Sequence, residues 1–217
     1  GIRLFILNIP FTEKIKKMAT VLNLELEDDV MKATHVIAGD SKHSIRRTPK
    51  LMAALCRTPN ILMLDWLTDS FKQKSLIGCS HYLLNEEAAE INYSFSMKAT
   101  LREGNQRRLE GGLLGGWKVL FCHNVAGNKA PKEEDLQMIV DAAGGIVIDY
   151  EDLPLGEDLD CAHVLVITSD PPLSQQTGNA AVKALADVGA GFFSTTWLFR
   201  CIMQQKLTGI RRGLGKH

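Results

Sequence analysis

The chain is poor in the features that mark catalytic, membrane-spanning or disulfide-built proteins. Its five cysteines (Cys56, Cys79, Cys122, Cys161, Cys201) are odd in number, scattered and never spaced as Cys-x-x-Cys. That argues against a disulfide frame or a zinc site and for reduced thiols inside the cell. Net charge is absent, with 25 Lys and Arg against 25 Asp and Glu. A balanced chain has no bulk attraction to DNA or membrane, so any nucleic-acid contact needs a local basic patch. No apolar run approaches the roughly 18 residues of a membrane span. Gly1 opens directly into a strand-like run without a signal peptide, so any targeting signal is expected elsewhere in a longer protein.

Catalytic motifs are missing too. Neither Gly-x-Ser-x-Gly nor His-Glu-x-x-His occurs. The glycine-rich Gly111-Gly112-Leu113-Leu114-Gly115-Gly116 precedes a strand instead of following one, and it lacks the Lys-Ser/Thr of a phosphate-binding loop. The histidines and cysteines nowhere approach metal-ligand spacing. A binding module without catalytic residues, cofactor or metal is the expectation.

What is present is an internal repeat. The 217 residues have room for two domains of about 90–110 residues, each with a modest core. Arg3-Leu4-Phe5-Ile6-Leu7 and Lys118-Val119-Leu120-Phe121-Cys122 both read as buried strands. Each is followed by apolar residues at i, i+3, i+4, i+7: Ile15, Met18, Ala19 and Leu22, then Leu136, Ile139, Val140 and Ala143. Thr34-His35-Val36-Ile37 answers Ala162-His163-Val164-Leu165. Leu51, Met52, Leu55 and Cys56 answer Ala181, Val182, Leu185 and Ala186, and Asp65-Trp66-Leu67 with Phe71 answers Thr196-Trp197-Leu198 with Ile202. Each half therefore reads strand, helix, strand, strand, helix, strand, helix, which predicts an α/β fold with a mostly parallel sheet covered on both faces. His35 and His163 recur at matching positions, so both are expected to be structural. Tyr82-Leu83-Leu84 is placed at the close of the first domain. The boundaries expected are residues 1–84, a linker over 85–115 with one short helix capped by Ser94, and residues 116–217.

Trp66 and Trp197 in their helices, the Thr-His-Val strand, and Gly144-Gly145 before a β-branched strand together resemble a tandem pair of BRCT domains. The resemblance covers nearly the whole chain. Ile45-Arg46-Arg47-Thr48-Pro49-Lys50, Leu64-Asp65-Trp66-Leu67 and Tyr93-Ser94-Phe95-Ser96 resemble more narrowly the tandem repeats of checkpoint mediators and their relatives. The resemblance implies two α/β BRCT-type domains, each a small four-stranded sheet flanked by helices, packed in tandem. In that family the first repeat holds a phosphoserine or phosphothreonine, and the groove between repeats takes the third residue after it, or a free C-terminus there.

The residues also support an anion site by themselves. Thr48-Pro49 is a helix start, with Thr as N-cap and Pro in the first position. Free N–H groups and the positive dipole end gather there. Lys50 in that first turn is unfavourable to the dipole unless an anion completes it. In the second half Ala180 stands opposite Lys50 and Thr177 opposite Arg47, so only the first repeat is expected to bind phosphate. The resemblance implies phosphate binding by Lys50, Asn8, Thr48 and Leu7, although the family has Ser or Thr where Leu7 stands and Gly or Ser where Asn8 stands. It implies a groove for the third residue, or its carboxylate, formed by Arg47, Lys129, Ala130 and Phe199, with the small Ala130 leaving space for an aromatic side chain.

The expected partner is a phosphorylated protein peptide, the C-terminal tail of a histone variant, read in the nucleus on chromatin at DNA breaks. No membrane partner and no direct DNA binding are expected. The alternative is a scaffold for unmodified protein partners or DNA ends, for which the small basic clusters Arg107-Arg108 and Arg211-Arg212 are the places to look.

Overall fold

A computed structural model describes residues 1–122, 132–152, 163–168 and 180–210. The first half runs β1 (Arg3–Ile6), α1 (Glu13–Val21), β2 (Glu25–Leu26), β3 (His35–Gly39), α2 (Pro49–Arg57), β4 (Ile61–Met63) and α3 (Asp65–Gln73). Two helices follow, α4 (Glu87–Asn92) and α5 (Met97–Leu109). The second half runs β5 (Lys118–Phe121), α6 (Glu133–Ala142), β6 (Ile146–Ile148), β7 (Val164–Thr168), α7 (Ala180–Asp187), β8 (Gly191–Ser194) and α8 (Thr195–Gln204). The strand and helix order expected from the repeat is the order observed, twice. Each half builds a four-stranded sheet, in the orders β2-β1-β3-β4 and β6-β5-β7-β8, and every pairing in both is parallel. Tyr82-Leu83-Leu84 runs antiparallel beside β4, with the Leu84 N–H donating to Ile61 and the Met63 N–H to Tyr82, both at 2.8 Å.

The duplication extends to single hydrogen bonds. The indole N–H of Trp66 donates to the Ile77 carbonyl and that of Trp197 to the Thr208 carbonyl, each at 2.8 Å and each eleven residues ahead. The matching histidines both pack on indoles, as a structural role requires. His35 stacks on Trp66 with centroids 5.5 Å apart, whereas His163 lies 5.4 Å from Trp117, which precedes β5.

Alternation along the strands divides the first half into two layers. Leu4, Ile37 and Leu62 face α1 and α3, in a cluster with Ile15, Met18 and Trp66. Phe5, Leu7, Val36, Ala38 and Ile61 face α2, in a cluster that continues into the second half. The two repeats use their middle helices differently. In α2 six consecutive residues, Leu51 to Cys56, are buried, whereas α7 buries only Val182 and Leu185. A helix buried all round is enclosed on every side and has no solvent face to spare. One side of α2 covers its own sheet, and the others meet α5, α6 and α8. Buried polar contacts tie the junction: Thr100 Oγ1 donates to the Met203 carbonyl at 2.6 Å, and Gln205 Nε2 donates to Cys56 Sγ at 3.3 Å and to the Ile202 carbonyl at 2.8 Å.

The segment between the sheets departs from expectation. Ser96, not Ser94, caps the longer helix, its Oγ accepting from the Ala99 N–H at 3.4 Å. Ser94 sits in the left-handed region at φ 54, and the buried Phe95 between them fixes which serine opens the helix. That helix runs on to Leu109, and the six-residue α4 precedes it, so two helices stand where one was expected. The exit of this segment is joined to the end of α6 by close backbone approach, the Leu114 N–H donating to the Ala143 carbonyl at 2.8 Å, and by the buried Leu114 side chain. Gly144 and Gly145 close α6 with N–H bonds to Asp141 and Val140, both at 3.0 Å. A Cβ on Gly112 would collide with the Ala143 carbonyl oxygen, and one on Gly144 with the Gly111 carbonyl oxygen.

Candidate functional site

In the first sheet the chain leaves β1 toward one edge, to β2, and β3 toward the other, to β4. The carboxyl ends of β1 and β3 therefore flank a topological switch point, the crevice where open α/β sheets bind ligands. Asn8 follows β1 there, and the loop after β3 leads through Arg46 and Arg47 into α2.

The start of α2 is as its sequence requires. Thr48 is the N-cap, its Oγ1 accepting from the Leu51 N–H at 3.1 Å, and Pro49 opens the helix. A hydroxyl that accepts this bond still has its own proton to donate. The Thr48 carbonyl accepts from the Met52 N–H at 3.1 Å. That leaves the Lys50 N–H as the first-turn donor without an acceptor among the described residues. The Lys50 side chain is exposed, and its Nζ lies 5.6 Å from the centroid of Phe5 on β1. It makes no ion pair with any described residue.

Asn8 adopts φ 64, a left-handed conformation that asparagine tolerates better than most residues. Its Nδ2 donates to the Ala38 carbonyl at a long 3.5 Å, and its backbone N–H has no acceptor among the described residues. Leu7 is a correction to the expected set. Its side chain is buried on the α2 side of the sheet, and its N–H donates to the Ile37 carbonyl at 2.8 Å. Leu7 therefore has no donor left for an anion.

The second cluster stands at the junction. Arg47 is half-buried, and its guanidinium carbon lies 5.4 Å from the Tyr93 ring centroid and 5.3 Å from that of Phe199. Burial pulls its pKa below the usual arginine value, while the Tyr93 side chain acts in the opposite sense. It stays a cation at neutral pH. No described carboxylate or carbonyl accepts from its fork of five donors. Phe199, on α8, is buried. The expected groove partners Arg47 and Phe199 are thus brought together across the junction, while Lys129 and Ala130, like Thr177, lie outside the described residues. Sequence reasoning missed Tyr93 as a member of the site. Its signal was its place in the Tyr93-Ser94-Phe95-Ser96 motif of the resemblance, to which no role at the groove was attached.

No cluster of metal-ligating side chains occurs among the described residues, and no described helix is long and apolar enough to cross a membrane. Among the described residues the arrangement is a lysine without an ion pair at a helix start whose own N–H has no acceptor, with an arginine without an acceptor close to two aromatic rings where the repeats meet. The fold is that of two BRCT repeats in tandem. The family model described as BRCT domain matches residues 112–212. Among solved structures the chain is similar to the BRCT5-BRCT6 domains of S. pombe Brc1, at a TM-score of 0.71 and 17% identity over 95% of this chain and 94% of that one. It is also similar to Rtt107p in its complex with a phosphorylated histone, at a TM-score of 0.54 and 15% identity over 96% and 88%. Among curated proteins it is 29% identical over 137 residues to PAX-interacting protein 1 of Bos taurus, covering 63% of this chain and 13% of the relative. It is 28% identical over 130 residues to mediator of DNA damage checkpoint protein 1 of Homo sapiens, covering 60% and 6%. The chain thus spans a small part of the curated relatives it matches.

Proposed function

We propose that this tandem BRCT pair is the phosphopeptide-binding module of a DNA damage response protein. It reads a phosphoserine or phosphothreonine in the first repeat and a C-terminal carboxylate at the junction. One observation carries the reading: Lys50 and Arg47, three residues apart, are cations flanking the start of α2, and neither has an acidic partner among the described residues. A phosphate at the start of α2 would take Lys50 Nζ, the Lys50 and Asn8 N–H groups and the Thr48 hydroxyl. That is an anion site of the helix N-terminus kind, strengthened by a full charge. The Arg47 fork suits a carboxylate. The similarity to Rtt107p, whose structure contains a phosphorylated histone, supports a histone tail as the ligand. Chromatin at DNA breaks in the nucleus is then the place of action.

The test is titration of a fluorescent phosphoserine peptide that ends in a free aromatic residue three positions after the phosphate. Its unphosphorylated form is the control. Charge-assisted hydrogen bonds are worth about 1.5–3 kcal/mol, so dephosphorylation or Lys50→Glu lowers affinity by at least tenfold. Equal affinity for both peptides would refute the proposal and direct the search to unmodified protein partners or DNA ends.

A further inference from the structure

The connecting segment touches both sides of the junction at the groove. Glu86, just before α4, accepts from the Ile45 N–H at 2.7 Å through its carboxylate. Ile45 is buried and lies two residues before Arg47, so this bond fixes the loop that leads to the arginine. At the other end of α4, the Tyr93 ring lies 5.4 Å from the Arg47 guanidinium. One residue on, the Ser94 carbonyl accepts from Gln204 Nε2 at 2.6 Å, which ties the same segment to α8, the helix carrying Phe199. Arg47 is therefore located by three pieces of chain: its own loop through Glu86, a linker ring, and a ring of the second repeat.

We propose that Tyr93 is the specificity-determining residue for a free C-terminal carboxylate, acting by holding the Arg47 guanidinium beside Phe199. The inference rests on the phosphopeptide reading and assigns to the linker a role that neither repeat supplies alone. Arginine has many rotamers, and a carboxylate gains from its fork only when both donors point one way. Aromatic rings over a guanidinium restrict it through cation–π attraction without using its N–H donors. A peptide that continues past the third residue, or ends in an amide, offers one neutral carbonyl instead of a bidentate anion and gains less from a fixed fork. Fixing Arg47 therefore selects for chain ends.

The experiment compares two phosphoserine peptides of one sequence, one ending in the free acid and one in the amide, on the whole tandem pair. Wild type prefers the acid by about tenfold. Tyr93→Phe keeps that ratio because the ring remains. Tyr93→Leu lowers it to the ratio shown by Arg47→Ala, with the preference for phosphorylated over unphosphorylated peptide unchanged, and adding Tyr93→Leu to Arg47→Ala brings no further loss. Glu86→Ala, which frees the loop, lowers the ratio as well. The retained phosphate preference shows that each variant is folded. A Tyr93→Leu protein that keeps the acid preference overturns this inference alone, whereas a wild type indifferent to phosphate overturns the function on which it rests.

Discussion

Two adjacent glycines allow steric and conformational costs to be separated. Gly111 and Gly112 both have positive φ, +90 and +103, so an alanine at either place carries the left-handed penalty of about 1–2 kcal/mol. They differ in surroundings. Nothing lies within 4 Å of a Cβ on Gly111. On Gly112 the Cβ would overlap the Ala143 carbonyl oxygen, with the Ala143 carbon at 2.8 Å and the Gly144 nitrogen at 3.2 Å. These are backbone atoms at a helix end and do not rotate away. Relief requires moving the linker off α6, which strains the bond from the Leu114 N–H to the Ala143 carbonyl, now 2.8 Å. Overpacking adds about 1–3 kcal/mol and the weakened hydrogen bond about 0.5–1.5 kcal/mol. Gly112→Ala is therefore expected to cost ~2.5–6.5 kcal/mol and Gly111→Ala ~1–2 kcal/mol. Urea unfolding measures both, with an unchanged slope showing that the unfolded state is the same. Costs equal within about 0.5 kcal/mol would refute the idea that close backbone approach, not φ, demands glycine at 112.

Other expectations follow from single groups. Thr48→Ala removes the cap of α2 and should destabilise by about 0.5–2 kcal/mol, while Thr48→Ser should be near neutral; calorimetry showing no difference between them would remove the capping role. Burial lowers the His35 pKa below its ordinary 6.5, so the unfolded chain takes up a proton before the folded one does. Its contribution to stability is complete above pH 6.5 and is lost as pH falls from there toward the folded value. His35→Gln should flatten that part of the curve of Tm against pH, and an unchanged curve would count against it. The Cys56 thiol, pushed up to about 11 by burial, is protonated at pH 8 in all but about one molecule in a thousand. Alkylation mapped by mass spectrometry should reach Cys79 before Cys56, and equally fast labelling of Cys56 would mean that the junction opens readily.

Local signals in the sequence reached far into this fold. The repeat, the order of elements and the Thr48-Pro49 helix start are written in spacing and residue type, which act over a few positions. The same local chemistry misplaced the cap at Ser94, because two serines two residues apart are equally good caps and only the burial of Phe95 separates them. The six residues of α4 are too short to show a period. The full enclosure of α2 had a signal in Ala53-Ala54, small residues where a one-sided helix would carry polar ones, but what encloses it is far away in sequence. Lys50, Thr48, Asn8, Arg47 and Phe199 were singled out through resemblance and helix chemistry, and their place in the proposed site is what the peptide titration tests. Tyr93 was given no role there, because its part depends on a contact with a loop more than forty residues earlier. Leu7 is lost because its side chain carries no donor and its N–H is used within the sheet, donating to the Ile37 carbonyl.

The enclosure of α2 has a mechanical consequence. Its first turn is where the anion would bind, and its body is what the second repeat rests on. A ligand at its tip therefore adds stability to a helix shared by both halves, and anything that loosens the seam around Leu55 and Cys56 weakens capture at a tip it never touches. Cut between the repeats, the first half would expose one flank of α2 to water as an apolar stripe. The pair, and not the single repeat, is therefore expected to be the smallest piece of this chain that folds and binds as a unit.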